Sequence, residues 1–564
     1  MQKIVECVPN FSEGRDLALI EQISQAIDQV EGVTLLDVDP GADTNRTVVT
    51  FVGDPEATVE AAFQGIKRAA ELIDMRKHSG AHARMGATDV CPFIPVSNMT
   101  MEECVELSRI LGKRVGEALN IPVYLYEYSA TTPARENLAN IRAGEYEGLS
   151  EKLKDPQWKP DFGKAEFNQT AGATVMGARK FLIAYNVNLN TRDQKKATDI
   201  ALEIREAGRN KRHPVTNKFI RDENGTPIKR PGTLKAVKAV GWYIDEYHMA
   251  QISMNLVDMD VTPFHVAFDE VVKQADLRGI RVSGSELVGL IPLQGMLDAG
   301  RYFLKKQKSS TAVSNAELIR IAIQSMGLNE ISPFNPQERI IEYQLGNKDE
   351  KNLVDMGVTE FVDELASDSP APGGGSVSAL AAAMAAGLTN MVGVLTHGKK
   401  GYQDHWDEIE ELSNQAQSLK DTFLFLVDED TRSFNSVMAA IRLPKQSKAQ
   451  QTARSEALQQ ATIYSAQVPL KVMQQSLEIM KLAGRMAAIG NQNSLSDAGV
   501  AVLQARAGLE GAALNVLINI PGIDDQDIAA KFEEEVRQLK DYSTELAEKL
   551  LADMQTKLET ALKN

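Results

Sequence analysis

Short apolar runs alternating with amphipathic stretches dominate the first 325 positions. Ile4 to Val8, Val33 to Val38 and Thr47 to Val52 read as strands, and apolar residues recur at helical spacing from Leu17 to Val30. Asp54 and Pro55 supply an N-cap and first-turn pair for a second helix, and Ile121 to Tyr128 reads as another strand. The order then returns, with strand Phe181 to Leu189, helix Gln194 to Ala207, strands Ala236 to Tyr243 and Gln251 to Asp258, a helix opened by Pro263, and strand Gly279 to Val282. The segments TVVTFVGDPEATVEAAFQGI and QISMNLVDMDVTPFHVAFDEV share this pattern more than they share letters. The pattern predicts two similar α/β subdomains, strands with flanking helices, descended from a duplication.

Lys211 to Pro231 breaks the second block with Pro, Gly and basic residues, and DENG at Asp222 to Gly225 suggests a hairpin turn. Helical patterns follow, then ISPFNPQER, whose two prolines stop helix propagation. Beyond Val358 the β-branched runs vanish and long periodic segments rich in Ala, Leu, Gln and Glu predict an all-α helical bundle. The expected multidomain organisation is 1–180 and 181–325 for the two α/β subdomains, 326–349 for a linker and 350–564 for the helical domain. A chain of 564 residues needs several cores, which agrees.

Charge narrows the partners. Up to position 340, 41 basic and 45 acidic residues leave −4, while 20 against 32 beyond it leave −12, with no basic stripe. Neither nucleic acid nor an anionic membrane is expected as a partner. Three cysteines without a CxxC pair indicate neither a disulfide framework nor a zinc site. The opening MQKIVECVPN lacks an apolar signal core, and the Ala-rich run from Ala379 to Ala386 is too short to span a bilayer, so a cytoplasmic protein is expected.

Candidate chemistry collects in loops. His78 and His82 lie in KHSGAHARMGATDVCPFIPV, read as a Gly- and Ala-rich loop. Gly80 and Gly86 argue against a helical metal pair, and no acidic third ligand is placed, so no metal is expected. A neutral imidazole is instead suited to taking a proton from an amine, with a loop-bonding histidine as the alternative. VPNFSEGRD offers Asn10, Ser12 and free amides at a helix start, and LLDVDPGADTNR places Asp39 at a strand end beside a turn. Capping explains either loop alone; together they suggest one shared site.

Phe162 to Asn190 is Gly-rich but lacks the order of a phosphate cradle, leaving a backbone-lined cleft for a planar heterocycle or a plain crossover. SDSPAPGGGSVSALAAAMAAGL lets backbone approach a ligand at Gly373, Gly374 and Gly375 and opens a helix at Ser376; close helix packing is the other use of such residues. In LVDEDTRSFNSVMAAIRLPK, Asp430 sits one turn before Phe434, expected to face inward, so that Asp430 is half buried with a raised pKa. Asn515 and Asn519 interrupt an otherwise apolar helix.

The motifs NFSEGRD, DVDPGADTNRTVVTFVG, HARMGATDVCPFIPV, GATVMGARKFLIAYNVNL, PAPGGGS and LVDEDTRSF occur in an order spanning the chain. In them the sequence resembles the formiminotransferase-cyclodeaminase family, bifunctional folate enzymes of histidine degradation. The resemblance implies transfer of the formimino group of N-formimino-L-glutamate to tetrahydrofolate, then ring closure to 5,10-methenyltetrahydrofolate with release of ammonia. It places the transferase histidine on His82 and the cyclodeaminase carboxylate on Asp430, with Asp39 as the candidate buried carboxylate orienting the imidazole, beside Asn10 and Ser12. The folate segment falls on Gly163, Lys164, Ala165, Glu166, Phe167, Asn168, Gln169, Thr170, Ala171 and Gly172, where the flanking glycines transfer more safely than the interior. Gly373, Gly374, Gly375 and Ser376 would line the cyclodeaminase pocket. A polyglutamylated folate co-substrate, with Lys399, Lys400, Arg442 and Lys445 holding its tail, and a homo-oligomer, dimeric through the helical domain and octameric overall, complete the expectation. The residues leave open an N-formylglutamate donor, or a helical domain that only binds folate and oligomerises.

Overall fold

The computed structural model describes residues 3–42, 44–80, 83–345 and 352–563. They divide into two compact units, Met1–Met296 with Ile323–Gly346, and Leu297–Ala322 with Asn347–Asn564.

The first unit begins with β1 (Ile4–Cys7), β2 (Asn10–Phe11), α1 (Leu17–Asp28), β3 (Val33–Gly41), β4 (Arg46–Gly53), α2 (Pro55–Leu72) and β5 (Thr88–Ser97). Asp16 caps α1 by accepting from Ala18 and Leu19, and Asp54 caps α2 ahead of Pro55. β3 pairs with β4, β4 with β1 and β1 with β5, all antiparallel. Then come α3 (Met101–Ala118), β6 (Val123–Glu127), the short helices α4 (Pro133–Glu136), α5 (Leu138–Arg142) and α6 (Glu145–Lys152), and β7 (Thr174–Ala178). β7 joins β5 and β6 joins β7 in parallel. The helices α1, α2 and α3 bury one face of the sheet through Ile23, Val49, Phe51, Ile66, Phe93 and Leu111. On the opposite face, α5 and α6 pack Ile141 and Leu149 against Val90, Tyr124 and Val175.

The second subdomain comprises β8 (Ile183–Leu189), α7 (Gln194–Ile204), β9 (Arg209–Asn210), β10 (Lys229–Arg230), β11 (Val237–Ile244), β12 (Met249–Leu256), α8 (Phe264–Asp276) and β13 (Val282–Val288). Its main sheet runs β11-β12-β8-β13. Counted along each chain segment, this is the order of β3-β4-β1-β5, so one βαββαβ arrangement is built twice. The two segments that echo each other in sequence fall on β4 with α2 and on β12 with α8.

Three expectations change. KHSGAHARMGATDVCPFIPV is loop only in its first half, because β5 begins at Thr88. Prolines argue against an interior strand. Here the β1–β5 register shifts where Pro95 pairs with Val5, so the irregularity absorbs a missing donor. The stretch before Ile183, read as a crossover or cleft, contains β7, and the strand placed at Gly279 to Val282 instead runs Val282–Val288.

The chain continues through α9 (Leu293–Lys306), α10 (Asn315–Met326), α11 (Pro336–Arg339) and α12 (Ile341–Leu345) to α13 (Val358–Leu365), α14 (Gly374–Thr396), α15 (Trp406–Arg442), α16 (Lys448–Ile489), α17 (Leu495–Asn519) and α18 (Gln526–Lys563). α14 packs between α15 and α17 with Ala379, Ala382, Ala383 and Ala386 buried. The Ala-rich run judged too short for a bilayer belongs to this 23-residue helix, which by length and composition is apolar enough to cross one; half of its most apolar window is buried against its neighbours.

Candidate active sites

In the first unit, the loops singled out by sequence are stitched into one cluster through Asn45, which closes the turn before β4 at φ 49°. Its Oδ1 accepts from the Gly14 amide at 3.0 Å, and its Nδ2 donates to the Ser79 carbonyl at 3.0 Å. Its own carbonyl lies 2.8 Å from His78 Nε2, while His78 Nδ1 accepts from Arg84 Nε at 3.2 Å. Nδ1 as acceptor makes Nε2 the protonated nitrogen, so both ring nitrogens of His78 are spent on the loop. Arg84 is held by Glu145 at 2.9 Å and Glu147 at 2.7 Å. His82 lies outside the described residues, but both shoulders of its loop are fixed: Asn45 holds Ser79, and beyond it Ser12 Oγ donates to the Gly86 carbonyl at 2.7 Å while Asp89 accepts from the Met85 amide at 3.0 Å. His78, Ser79, Gly80 and Arg84 line a depression facing Gly144, Glu145 and Glu147.

The segment from Gly163 to Gly172, expected from the resemblance to bind folate, runs beside this loop. Gly163 and Gly172 have φ of 79° and 69°, and a Cβ on them would lie 2.7 Å from the Ile121 carbonyl oxygen and 2.2 Å from that of Met85. Backbone approach and left-handed φ therefore explain why the glycines flank the segment. Ala87 N donates to Ala171 O at 2.9 Å, Ala173 N to Met85 O at 3.1 Å and Met75 N to Thr170 O at 2.9 Å. Asn168 caps the turn by accepting from Ala171 N at 3.0 Å, and the Phe167 ring lies 5.3 Å from that of Tyr146, tilted at 45°. Lys164, Ala165, Glu166, Gln169 and Thr170 are exposed.

Asn10, Asp37 and Asp39 share the sheet face opposite α1 and α2, because they pair with Val48 and Thr50 of β4. Asp39 lies inside β3, which reaches Gly41, and is exposed; the expected buried carboxylate is not there. Asn10 is buried and donates to the Val8 carbonyl at 2.7 Å. On the same face, Glu6, opposite Val52, is 2% exposed. Burial pushes its carboxyl up to about 7, with Arg179 pulling it down and Glu342 adding to the rise.

In the helical unit, Asp430 of α15 accepts from the Ser376 amide at 2.9 Å and from Ser376 Oγ at 3.2 Å, at the N-terminus of α14. A Cβ on Gly375 would lie 2.1 Å from Asp430 Oδ1, so glycine alone admits this contact. Burial raises the Asp430 pKa, and the two Ser376 donors restrain the rise. The sequence reasoning reached this outcome through the wrong neighbour: Phe434 is 38% exposed, and the burial comes from the α14 terminus. The acidic run is three separate arrangements. Asp428 accepts from the Leu353 amide at 2.6 Å, and Glu429 takes the Tyr464 hydroxyl and Arg432. Asn515, on α17, lies against Gly374, and Asn519 Nδ2 donates to the carbonyls of Ser465 and Asn515 at 3.0 and 2.8 Å. Among the described residues no group of three His, Cys, Asp or Glu could hold a metal ion.

A depression walled by backbone-fixed loops on a twice-built α/β unit, with a protonatable carboxylate at a glycine-opened helix start in a separate bundle, defines an enzyme with two sites. Family models match as follows: the formiminotransferase domain, N-terminal subdomain, over residues 4–179; the formiminotransferase domain over 184–346; and formiminotransferase-cyclodeaminase over 357–538. The formimidoyltransferase-cyclodeaminase of Rattus norvegicus is 42% identical over 99% of this chain and 100% of that protein. The glutamate formimidoyltransferase of Streptococcus pyogenes serotype M1 is 43% identical over 54% of the chain and 94% of its own length. The methenyltetrahydrofolate cyclohydrolase of Methylorubrum extorquens is 37% identical over 36% of the chain and 97% of its own. The chain belongs to the formimidoyltransferase-cyclodeaminase family.

Proposed function

We propose that the chain moves the formimino group of N-formimino-L-glutamate to N5 of tetrahydrofolate, releasing glutamate, and then closes 5-formiminotetrahydrofolate to 5,10-methenyltetrahydrofolate with loss of ammonia. In the first step N5 attacks the formimino carbon, a base takes the N5 proton, and the departing glutamate nitrogen is protonated; His82 serves both needs in sequence. In the second, N10 attacks the same carbon, the N10 proton passes to the imino nitrogen, and the amino group so formed leaves as ammonia with the proton of Asp430. The single observation that carries the second activity is the Asp430 carboxyl on the Ser376 amide, with Gly375 leaving it room. A helical unit that only bound folate would need no such carboxyl. The relatives' names favour a formimino over a formyl donor.

The enzyme acts in the cytoplasm, in histidine degradation and one-carbon metabolism, with His82, Asp39, Asn10 and Ser12 forming or orienting the transferase site. Folate binds along Gly163 to Gly172, and Gly373 to Ser376 line the second pocket. Self-association through the helical unit is supported by exposed apolar positions seven residues apart on α14, Val377, Met384 and Met391, and by Leu514 and Ile518 of α17, 67% and 77% exposed. An octamer is the assembly proposed, and a sedimenting monomer at micromolar concentration would refute it. Lys399, Lys400, Arg442 and Lys445 are exposed and hold a polyglutamate tail. Equal accumulation of free intermediate with mono- and polyglutamate folate would overturn that.

The test of the activity is an assay of purified protein with N-formimino- or N-formyl-L-glutamate plus tetrahydrofolate, reading glutamate, ammonia and methenyltetrahydrofolate separately. Turnover of the formimino donor with equal glutamate and ammonia is expected. Glutamate without ammonia would remove the second activity.

A further inference from the structure

Resting on that reading, we propose that the Arg46 guanidinium anchors a carboxylate of the glutamate-derived donor. Arg46 opens β4 and alternates with Val48 and Thr50 onto the polar sheet face that carries Asn10, Asp37 and Asp39. It is half-buried, its Nε is sealed from solvent, and among the described residues its guanidinium makes no hydrogen bond or ion pair. Other buried or half-buried arginines of this unit behave differently. Arg84 has Glu145 and Glu147, Arg135 has Asp161 at 2.7 Å, and Arg142 has Asp89.

A partly desolvated cation left unpaired is costly, and folded proteins keep one where a ligand completes it. The carboxylates whose fields reach Arg46 do not supply that partner. Asp89 is already committed to Arg142 and to the Met85 amide, and Asp39 forms no pair with Arg46. Burial lowers the Arg46 pKa to about 10, with Asp89 and Asp39 opposing the fall, so the group stays charged at neutral pH. The backbone beneath it is fixed. A Cβ on Gly14 would lie 2.5 Å from the Arg46 nitrogen, and Asn45, one residue earlier, ties Gly14 to Ser79. The result is a planar fork rooted on fixed backbone beside the loop cluster. A planar fork of donors matches a carboxylate in bidentate geometry. The donor has two carboxylates, whereas the pterin of the acceptor has none and its glutamate tail lies remote from N5.

Arg46→Gln should raise the KM for N-formimino-L-glutamate about 10- to 100-fold, with kcat little changed, as for an interaction made equally in ground and transition states. The KM for tetrahydrofolate and the ammonia release from supplied 5-formiminotetrahydrofolate should stay within about twofold of wild type. Donors carrying a carboxamide in place of either carboxylate provide the readout that a structural role would not move. Wild type should discriminate against one of them, and Arg46→Gln should lose that discrimination. Arg46→Lys keeps the charge without the fork and should fall between, which guards against a misfolded glutamine variant. A donor KM within twofold of wild type, full retention of the carboxamide discrimination, or a KM increase confined to folate would each overturn the anchor. If wild type uses only N-formylglutamate, the donor assignment fails, while the same comparisons on that donor still test Arg46.

Discussion

Adding one methyl group to each of three successive glycines should separate geometry from fold in the helical unit. A Cβ at Gly373 meets nothing within 4 Å, one at Gly374 comes 3.2 Å from Asn515 Nδ2, and one at Gly375 lies 2.1, 2.4 and 2.5 Å from Oδ1, Cγ and Oδ2 of Asp430. Ordinary contact begins near 3.4 Å, so in Gly375→Ala the carboxylate must retreat by roughly 1 Å. The 2.9 Å bond from the Ser376 amide then breaks, and a misplacement of about 1 Å costs on the order of 10²-fold in rate. Stability should change far less, because replacing glycine inside a helix gains up to ~1 kcal/mol against ~1 to 3 kcal/mol of local overpacking. The assay is ammonia release from supplied 5-formiminotetrahydrofolate, with formimino transfer by the same preparation as control. Activity should fall in the order 373, 374, 375, with transfer unchanged. A Gly375→Ala enzyme within about tenfold of wild type, or a Gly373→Ala enzyme as impaired as Gly375→Ala, would refute the contact as the reason for the glycine.

Ser376→Ala removes a donor that holds the Asp430 pKa down; the protonated acid then persists to higher pH, and the alkaline limb of the ammonia-release profile should move upward. An unmoved or lowered limb would exclude Asp430 as the acid. Asn45→Ala loses two side-chain bonds that fix the Ser79 shoulder, so transfer should fall while ring closure persists, and Asn45→Gly, which suits the φ of 49°, should recover stability but not transfer. Glu6, raised from 4.5 to about 7, contributes stability that is complete below pH ~4.5 and lost as pH rises through ~7. Glu6→Gln should therefore stabilise the α/β unit by up to about 3 kcal/mol at pH 8 and by nothing near pH 4.5, read by hydrogen exchange of β1 amides.

What the sequence made legible depended on the range of the interaction. A helix cap such as Asp54 acts within three residues and was readable, as was the polar or apolar period of β3, β4 and β12. β5 was hidden because Pro92 and Pro95 deny it the look of an interior strand, and only its neighbours supply the pairing. Asp430 was singled out within its own helix, with Phe434 taken as the burying neighbour, and again by family resemblance, but its environment comes from Ser376, 54 residues away, which no helical periodicity within α15 reveals. Asn45 was missed altogether. Locally it is an ordinary turn residue, and the partners that make it important, Gly14 and Ser79, lie 31 and 34 residues off.

The twice-built arrangement shows why such a residue bears no strong local mark. The β3–β4 and β11–β12 hairpins have matching registers, Gly41 with Arg46 and Ile244 with Met249, around turns of equal length. Each turn closes on a residue of positive φ, Asn45 at 49° and His248 at 53°, and each makes the same bond, Asn45 N to Ala42 O at 3.3 Å and His248 N to Asp245 O at 3.2 Å. The pairing at the turn end is therefore copied and the chemistry is not, although β3–β4 alone carries an irregularity between Leu35 and Asp37. In the first copy the turn residue is an amide that reaches two other loops, followed by an arginine whose guanidinium pairs with none of the described residues; in the second it is followed by Met249. Local sequence specifies the hairpin in both copies, because turn length and φ decide it. Only the loops that surround the first copy, between β2 and α1 and between α2 and β5, draw that hairpin into a cluster, through the bonds of Asn45 to Gly14 and Ser79.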